Sequence, residues 1–364
     1  MARALVLAVG PTRVAIVSLD LGRAPTRATV AAIRQRVKDD ASVEHVLLVA
    51  SHTHHGPVLE LDTWPKGEKP YTRQLEDKLV GVIAEAAGKL QPAQLGFRTI
   101  EVELNRNRHS KRKEHQPRDN TFTVVRIDDA EGRPLAHLVN FAAHATLTDA
   151  KSHEISSDYP GTLARLVEKE LGGYCLFLQG AAGDLSGNPS APGGAEKFGE
   201  ELGRLVLEQS KRIRCDLTDV SDLRVRQRDF TFGKRVDLRN PAIRAAYSLA
   251  FFPALVDFYE REYREGIRPQ LTTVLLDGRI ALVGVSGEFF CDHAVQLRRR
   301  AELQPLLFLG YCNDYHQYFP TIEAAAEGGY GADAMVSPVE IGAGERMMDQ
   351  ALIDLLQMRG KLRK

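Results

Sequence analysis

Residues Val43 to Pro57 read VEHVLLVASHTHHGP. An apolar run ends there in three histidines, His52, His54 and His55, and Gly56-Pro57 follows at once. A short run without polar alternation reads as a strand buried on both faces, as in sheets covered by helices. In extended backbone residues i and i+2 share a face, so His52 and His54 point one way and His55 the other. Open α/β sheets take their ligands at the carboxyl ends of strands, and the histidines stand at such an end. Taken alone, an HxH pair fits ordinary hydrogen-bonded loop imidazoles equally well.

The bulk composition narrows the classes. The 364 residues carry 43% hydrophobic side chains, enough for a sizeable core. Lys and Arg number 48 and so do Asp and Glu, giving a formal net charge of zero. That balance speaks against a nucleic-acid footprint or strong attraction to anionic membranes. The cationic stretch RNRHSKRKEH, from Arg106, reads as a solvated loop. The cysteines, Cys175, Cys215, Cys291 and Cys312, form no CxxC and read as free thiols. No apolar run approaches the ~20 residues that span a bilayer. The expectation is a soluble chain, cytoplasmic as given, and secreted if a leader was removed.

Apolar runs alternate with amphipathic stretches, with no internal repeat. RALVLAV and RVAIVSLDL read as two strands joined at Gly10-Pro11. Helices are expected over Thr26–Lys38 and Tyr71–Leu90, with the strand Val43–Ala50 between them. Strands near 121–127 and 135–143 precede a helix after Pro160, the strand YCLFLQ and a helix over 194–211. DLRVRQRDFTF alternates like a strand with one wet face. A helix is expected over 240–262, a hairpin around Asp277-Gly278, a helix over 290–303, a strand PLLFLGY and a final helix from about residue 343. GNPSAPGG, 187–194, reads as a loop inside one domain. The whole is an α/β chain with a mixed, largely buried β-sheet core flanked by helices.

The event at His52 then recurs. AHLVNFAAH ends at His144, and YCLFLQGAAGDLSGN runs into Asp184 and Ser186. IALVGVSGEFF delivers Glu288, and PLLFLGYCNDYHQYFP delivers Asn313, Asp314, Tyr315, His316 and Tyr318. His137 has the opposite parity to His144 and reads as structural. Five strands releasing polar groups at one end describe an active-site rim. His52, His144 and Glu288 together suit one catalytic zinc, which takes imidazole nitrogen and carboxylate oxygen and keeps a position for water. The plainer reading of Glu288 is an acid at a helix start, favoured by the dipole.

In this order the motifs resemble the catalytic domain of the neutral/alkaline, non-lysosomal ceramidases. SHTHHGP is similar to that family's THTHSGP, NRNR to its NRS segment, and GAAGDLSGN to its SPN turn. FAAHAT and SSDYPG resemble the segment with its second histidine, SGEF matches its GEF, and NDYHQYFPTIEAAAEGGY resembles its tyrosine-rich segment. The resemblance implies one catalytic domain over 1–364 and a zinc-dependent amidase with one Zn2+ per chain. By motif it places the metal on His52, His144, Glu288 and Tyr318, with Tyr315 as the competing tyrosine. His54 and Arg106 match groups beside the scissile carbonyl, Tyr330 the tyrosine that helps hold the oxyanion, and Ser186, the fourth catalytic candidate, the serine of the SPN turn once considered a nucleophile in that family.

The chain departs from the family at His55, where the family has serine, at Gly187, where it has proline, and at HATLTD, where it has HGTSMN. It also lacks the family's C-terminal immunoglobulin-like domain and begins after the leading segment usual there, which reads as a truncation. The expected activity is therefore hydrolysis of an N-acyl amide, on a small-molecule or lipid-like substrate, with the choice of ceramide left open. Alternatives are a metal-dependent esterase or peptidase on a smaller polar substrate, a silent binding module, and a two-metal phosphoesterase. Phe251, Phe252 and Phe258 either line a lipid groove or pack in the core.

Overall fold

The structure is a computed structural model that describes residues 1–61, 71–111, 116–188, 193–249 and 251–363. Residues 112–115 of the cationic stretch and 189–192 of the expected loop lie outside the described residues.

Three mixed sheets replace the single sheet expected from the sequence. The first joins β1 (Ala2–Val9), β2 (Thr12–Leu19) and β3 (His45–Ala50). The second orders β4 (Ala93–Glu101), β6 (Thr121–Asp129), β7 (Pro134–Phe141) and β8 (Tyr174–Gln179). The third orders β10 (Leu223–Asp229), β11 (Gln270–Leu276), β12 (Ile280–Val285) and β14 (Leu306–Leu309). Two short ribbons, β5 (Asn105–Asn107) with β9 (Leu185–Gly187) and β13 (Glu288–Phe289) with β15 (Tyr318–Phe319), lie beyond the sheet ends.

Each sheet contains the same unit: an antiparallel hairpin, a crossing helix, then a parallel strand. The helices are α1 (Arg27–Ala41) between β2 and β3, α3 (Asp158–Leu171) between β7 and β8, and α7 (Cys291–Ala301) between β12 and β14. The remaining helices are α2 (Tyr71–Gly88), α4 (Gly194–Ser210), α5 (Pro241–Tyr247), α6 (Pro253–Glu262), α8 (Ile322–Glu327) and α9 (Ala343–Met358). The expected helix over 240–262 is two. Proline cannot donate a backbone hydrogen bond and holds Phe252 before it in an extended conformation, so the chain restarts at Pro253. Strand β4 was not anticipated, because its half-exposed residues lack a continuous apolar run.

Alternation along the strands explains how the sheets assemble. Ile16, Leu47, Leu138, Leu176, Leu282 and Leu307 turn into one core shared by all three sheets. Their neighbours turn outward. Val17 and Leu48 meet α1 and α2, Phe141 and Phe177 meet α3 and α4, and Val283 and Phe308 meet α6, α7 and α9. Both faces of the middle strands are therefore dry, which is why they read as unbroken apolar runs.

Buried side chains tie the sheets in a ring. Ser18 Oγ donates to Phe177 O (2.7 Å), and Asn140 Nδ2 to Phe308 O (2.9 Å). Asn313 closes the ring onto β3: its Oδ1 accepts from Leu48 N (2.9 Å) and its Nδ2 donates to Val46 O (2.8 Å). Because these ties sit near the carboxyl ends of β3, β8 and β14, they bring the loops after those strands together. Among the described residues no helix is long and apolar enough to cross a membrane.

Candidate metal centre

β3 ends at Ala50, and His52 then adopts a left-handed conformation with φ 63°. Extended geometry therefore does not persist through the motif. His52 N donates to Leu21 O (3.0 Å), and Nδ1 lies 2.6 Å from Gly22 O. His144, after β7, is fixed in the same way: its N donates to Leu185 O (3.0 Å), and Nδ1 lies 2.6 Å from Ala182 O. A ring whose Nδ1–H donates to a carbonyl presents Nε2 as an acceptor, its lone pair turned toward the cluster.

Those two Nε2 atoms stand 3.1 Å apart, and His54 Nε2 lies 3.2 Å from that of His52. The ligand atoms of the three histidines all fall within 4.8 Å of one another, a cluster able to hold a metal ion. Glu288, on β13, brings Oε2 to 3.4 Å from His52 Nε2 and 3.1 Å from His144 Nε2. Lone pairs facing each other across such distances repel unless a proton or a cation lies between them. With both Nδ1 atoms engaged on carbonyls, the donor set fits a cation, and imidazole with carboxylate fits zinc.

The electrostatics agree. Burial alone would raise the Glu288 carboxyl, but the adjoining His52 and His144 outweigh it and hold it well below the usual carboxylate range. Burial, and next Arg108, push His144 down to about 4. His54 is pushed down to about 3, first by the protein packed round the ring and then by His52 and His144, although its outer edge meets solvent.

Three tyrosines surround Glu288. Tyr311 stacks on His52 at 4.1 Å and donates to Oε2 (3.4 Å), while the Tyr315 hydroxyl donates to Oε1. Tyr318, paired to Glu288 through β15, accepts from Arg108 Nη2 at 3.0 Å. Burial raises the Tyr315 and Tyr318 phenols well above their ordinary value, so either would need a nearby cation to ionise. Tyr330 lies at the mouth, exposed, its ring 5.7 Å from that of Tyr318.

The arginine at this centre is Arg108, not Arg106. Arg106 pairs with Ser186 in the β5–β9 ribbon and is exposed, between buried Asn105 and Asn107. The backbone turns after β5, where Arg108 N donates to Asp184 O (2.8 Å), and this sends the guanidinium inward. Its Nη2 reaches His144 Nε2 (2.8 Å) and Gly183 O (3.0 Å). The sequence held the signal in its doubled Asn-Arg, NRNR, but could not say which arginine turns in. Ser186 bridges His144 through the backbone, and no contact of its hydroxyl with the cluster occurs among the described residues.

A supporting layer also escaped the sequence reading. The buried Asp158 carboxylate accepts from Leu147 N (2.9 Å) and Thr148 N (2.7 Å), and Tyr159 Oη donates to Ala143 O (2.6 Å). Together they pin both sides of His144. His137 does face away, buried against Ser210 Oγ (3.1 Å), and burial lowers it to about 4. Phe251 and Phe258 pack against the core of the third sheet, whereas Phe252 is exposed.

No family model matches the chain. Over 178 residues it is 29% identical to neutral ceramidase B of Dictyostelium discoideum, which covers 41% of this chain and 24% of that protein. Over 226 residues it is 28% identical to the neutral ceramidase of Pseudomonas aeruginosa, covering 55% of this chain and 34% of the other. The match thus spans 24% to 34% of the length of these curated relatives. The crystal structure of the Pseudomonas aeruginosa neutral ceramidase superposes with a TM-score of 0.78, at 21% identity, over 100% of this chain and 69% of that one. The chain is homologous to neutral ceramidases in sequence and shares their fold.

Proposed function

We propose that this chain is a zinc-dependent hydrolase that cleaves an amide, an N-acyl bond, with His52, His144 and Glu288 holding the ion. The observation that carries the reading is the convergence of two Nε2 lone pairs and one carboxylate oxygen within 3.4 Å of one another. Homology to neutral ceramidases supports the reaction class. Tyr318 is the better fourth ligand, because the Tyr315 hydroxyl already donates to Glu288 while the Tyr318 oxygen faces Arg108. When bound, zinc polarises a carbonyl and lowers the pKa of water toward ~7.

The chain's own residues supply the rest. His54, open to solvent on one side, takes a proton from the attacking water and hands it to the leaving nitrogen. Arg108 takes the role first assigned to Arg106 and, with Tyr330, donates to the carbonyl oxygen as negative charge gathers on it. Gly22 and Ala182 hold the two ligand rings in a fixed tautomer. Ser186 supports His144 through the backbone bridge rather than acting as a nucleophile.

The test is elemental analysis of the purified chain together with hydrolysis of short N-acyl amides, with and without chelator. One zinc per chain, and turnover lost to chelator and restored by zinc, is the expected result. Turnover indifferent to chelator, or a metal-free protein that stays active, would end the proposal. A smaller polar substrate, cleaved as an ester or peptide, is a second reading favoured by the charged wall of the adjoining cavity. The two-metal phosphoesterase has no second cluster to stand on among the described residues.

A further inference from the structure

Beside the cluster lies a cavity of about 180 Å³, walled by Gly22, Arg23, His54, Val58, Glu60 and Leu255. Arg23 follows β2 in the chain. Its neighbour Gly22 supplies the carbonyl that fixes His52, so one stretch of backbone places both the imidazole and the guanidinium. Arg23 Nη1 pairs with Glu60 and donates to Tyr259 Oη (3.0 Å). The guanidinium carbon lies 4.5 Å above the centre of the Tyr315 ring, whose hydroxyl reaches Glu288. The group is therefore held rigidly, one ring away from the proposed metal ligand.

The hydrogen-bond inventory of this wall is one-sided. Glu60 Oε1 accepts from Arg23 and from Tyr259 Oη (3.1 Å), and Oε2 accepts from Leu59 N (3.1 Å). Both carboxylate oxygens are engaged. A guanidinium carries five N–H donors. Those on Arg23 Nε and Nη2 enter no hydrogen bond or ion pair among the described residues, and the side chain is 25% exposed. At this point the wall thus offers a visitor donors in a planar fork, beside a carboxylate whose two oxygens are both engaged. An alkyl chain laid there would strip water from the guanidinium and return nothing, whereas a carboxylate matches the fork.

We propose that the substrate is an N-acyl compound whose amine part bears a carboxylate, an N-acyl amino acid, and that Arg23 reads this group. The proposal rests on the hydrolase reading above and narrows its substrate. Hydrolysis breaks the amide C–N bond. Water supplies hydroxyl to the acyl carbon and a proton to the nitrogen, and a fatty or short acid and a free amino acid leave.

The test compares kcat/KM for N-hexanoylglycine with that for its neutral counterpart, N-hexanoylglycinamide. The wild type should favour the carboxylate by about 10- to 100-fold. Removing Arg23 alone leaves Glu60 buried without its cation and risks the fold, so the variant is the pair Arg23→Met with Glu60→Gln, checked by its melting curve. The preference should collapse to near unity in that variant and persist in Leu249→Ser, a surface control. Equal rates for the two amides in the wild type, or a preference that survives the double change, overturn the carboxylate proposal while the hydrolase reading stands. If neither amide is cleaved, the hydrolase reading fails. The thermal shift induced by the glycine compound over the glycinamide, in wild type against the double variant, then still decides the role of Arg23.

Discussion

Replacing Glu288 by Gln isolates the charge at the proposed centre. Glutamine keeps the size of the side chain, its one oxygen can still accept from Tyr311 or Tyr315, and its amide nitrogen can donate to the other hydroxyl. What it removes is the one anionic donor placed 3.4 and 3.1 Å from the two Nε2 atoms. Loss of a hydrogen-bonded partner one layer further out weakens metal sites by about 10- to 100-fold, so loss of a direct donor should cost at least about 100-fold. At fixed metal concentration that factor is about 2.7 kcal/mol of linked stability. An unfolding entropy of about 2.1 cal/mol/K per residue gives roughly 0.8 kcal/mol/K for 364 residues, hence a fall of about 3–4 °C in Tm. The assay is thermal unfolding of wild type and variant, each with saturating zinc and with chelator. The chelator-sensitive part of the shift should shrink in the variant, and its zinc content should drop below one per chain. A variant that binds one zinc as tightly as wild type would show that the three histidines hold the ion without Glu288.

Arg108→Ala should lower kcat about 10²- to 10³-fold, as for loss of an oxyanion donor, while Arg106→Ala changes it little, because the Arg106 side chain is exposed; steady-state kinetics of both decides between them. Asn140→Ala removes an amide that reaches Leu178 O and Phe308 O, and should cost about 2–4 kcal/mol in urea unfolding. His137 titrates near 4 when folded against about 6.5 unfolded, so the unfolded chain binds more protons in between and stability falls as pH drops through that window. Between pH 7 and pH 4.5, His137→Gln should therefore lose roughly 2–3 kcal/mol less than wild type; equal losses would show that His137 does not carry the effect.

Much of the fold lay open in local patterns. The hairpins at Gly10 and at Asp277-Gly278 have the positive φ their turns require, and the middle strands are apolar throughout because both faces are covered. The gathering of polar groups at strand ends was likewise visible, since each apolar run stops where its side chains leave the core. Pairing was not. An apolar strand carries the same pattern whether its neighbours belong to one wide sheet or to one of three, and only long-range partners such as Ser18 with Phe177 and Asn313 with β3 choose between them.

At the centre the division is sharper. The sequence by itself determined which residue types could meet: histidines after β3 and β7, a carboxylate after β12, and tyrosines after β14. Tertiary structure alone decided that Arg108 rather than Arg106 faces His144, that His52 turns through a left-handed backbone, and that Arg23 stands at the cavity wall. Side-chain direction beyond a strand end depends on how the chain bends there. That bend is set by hydrogen bonds to distant residues, such as Arg108 N to Asp184 O and His52 N to Leu21 O, which no local spacing records.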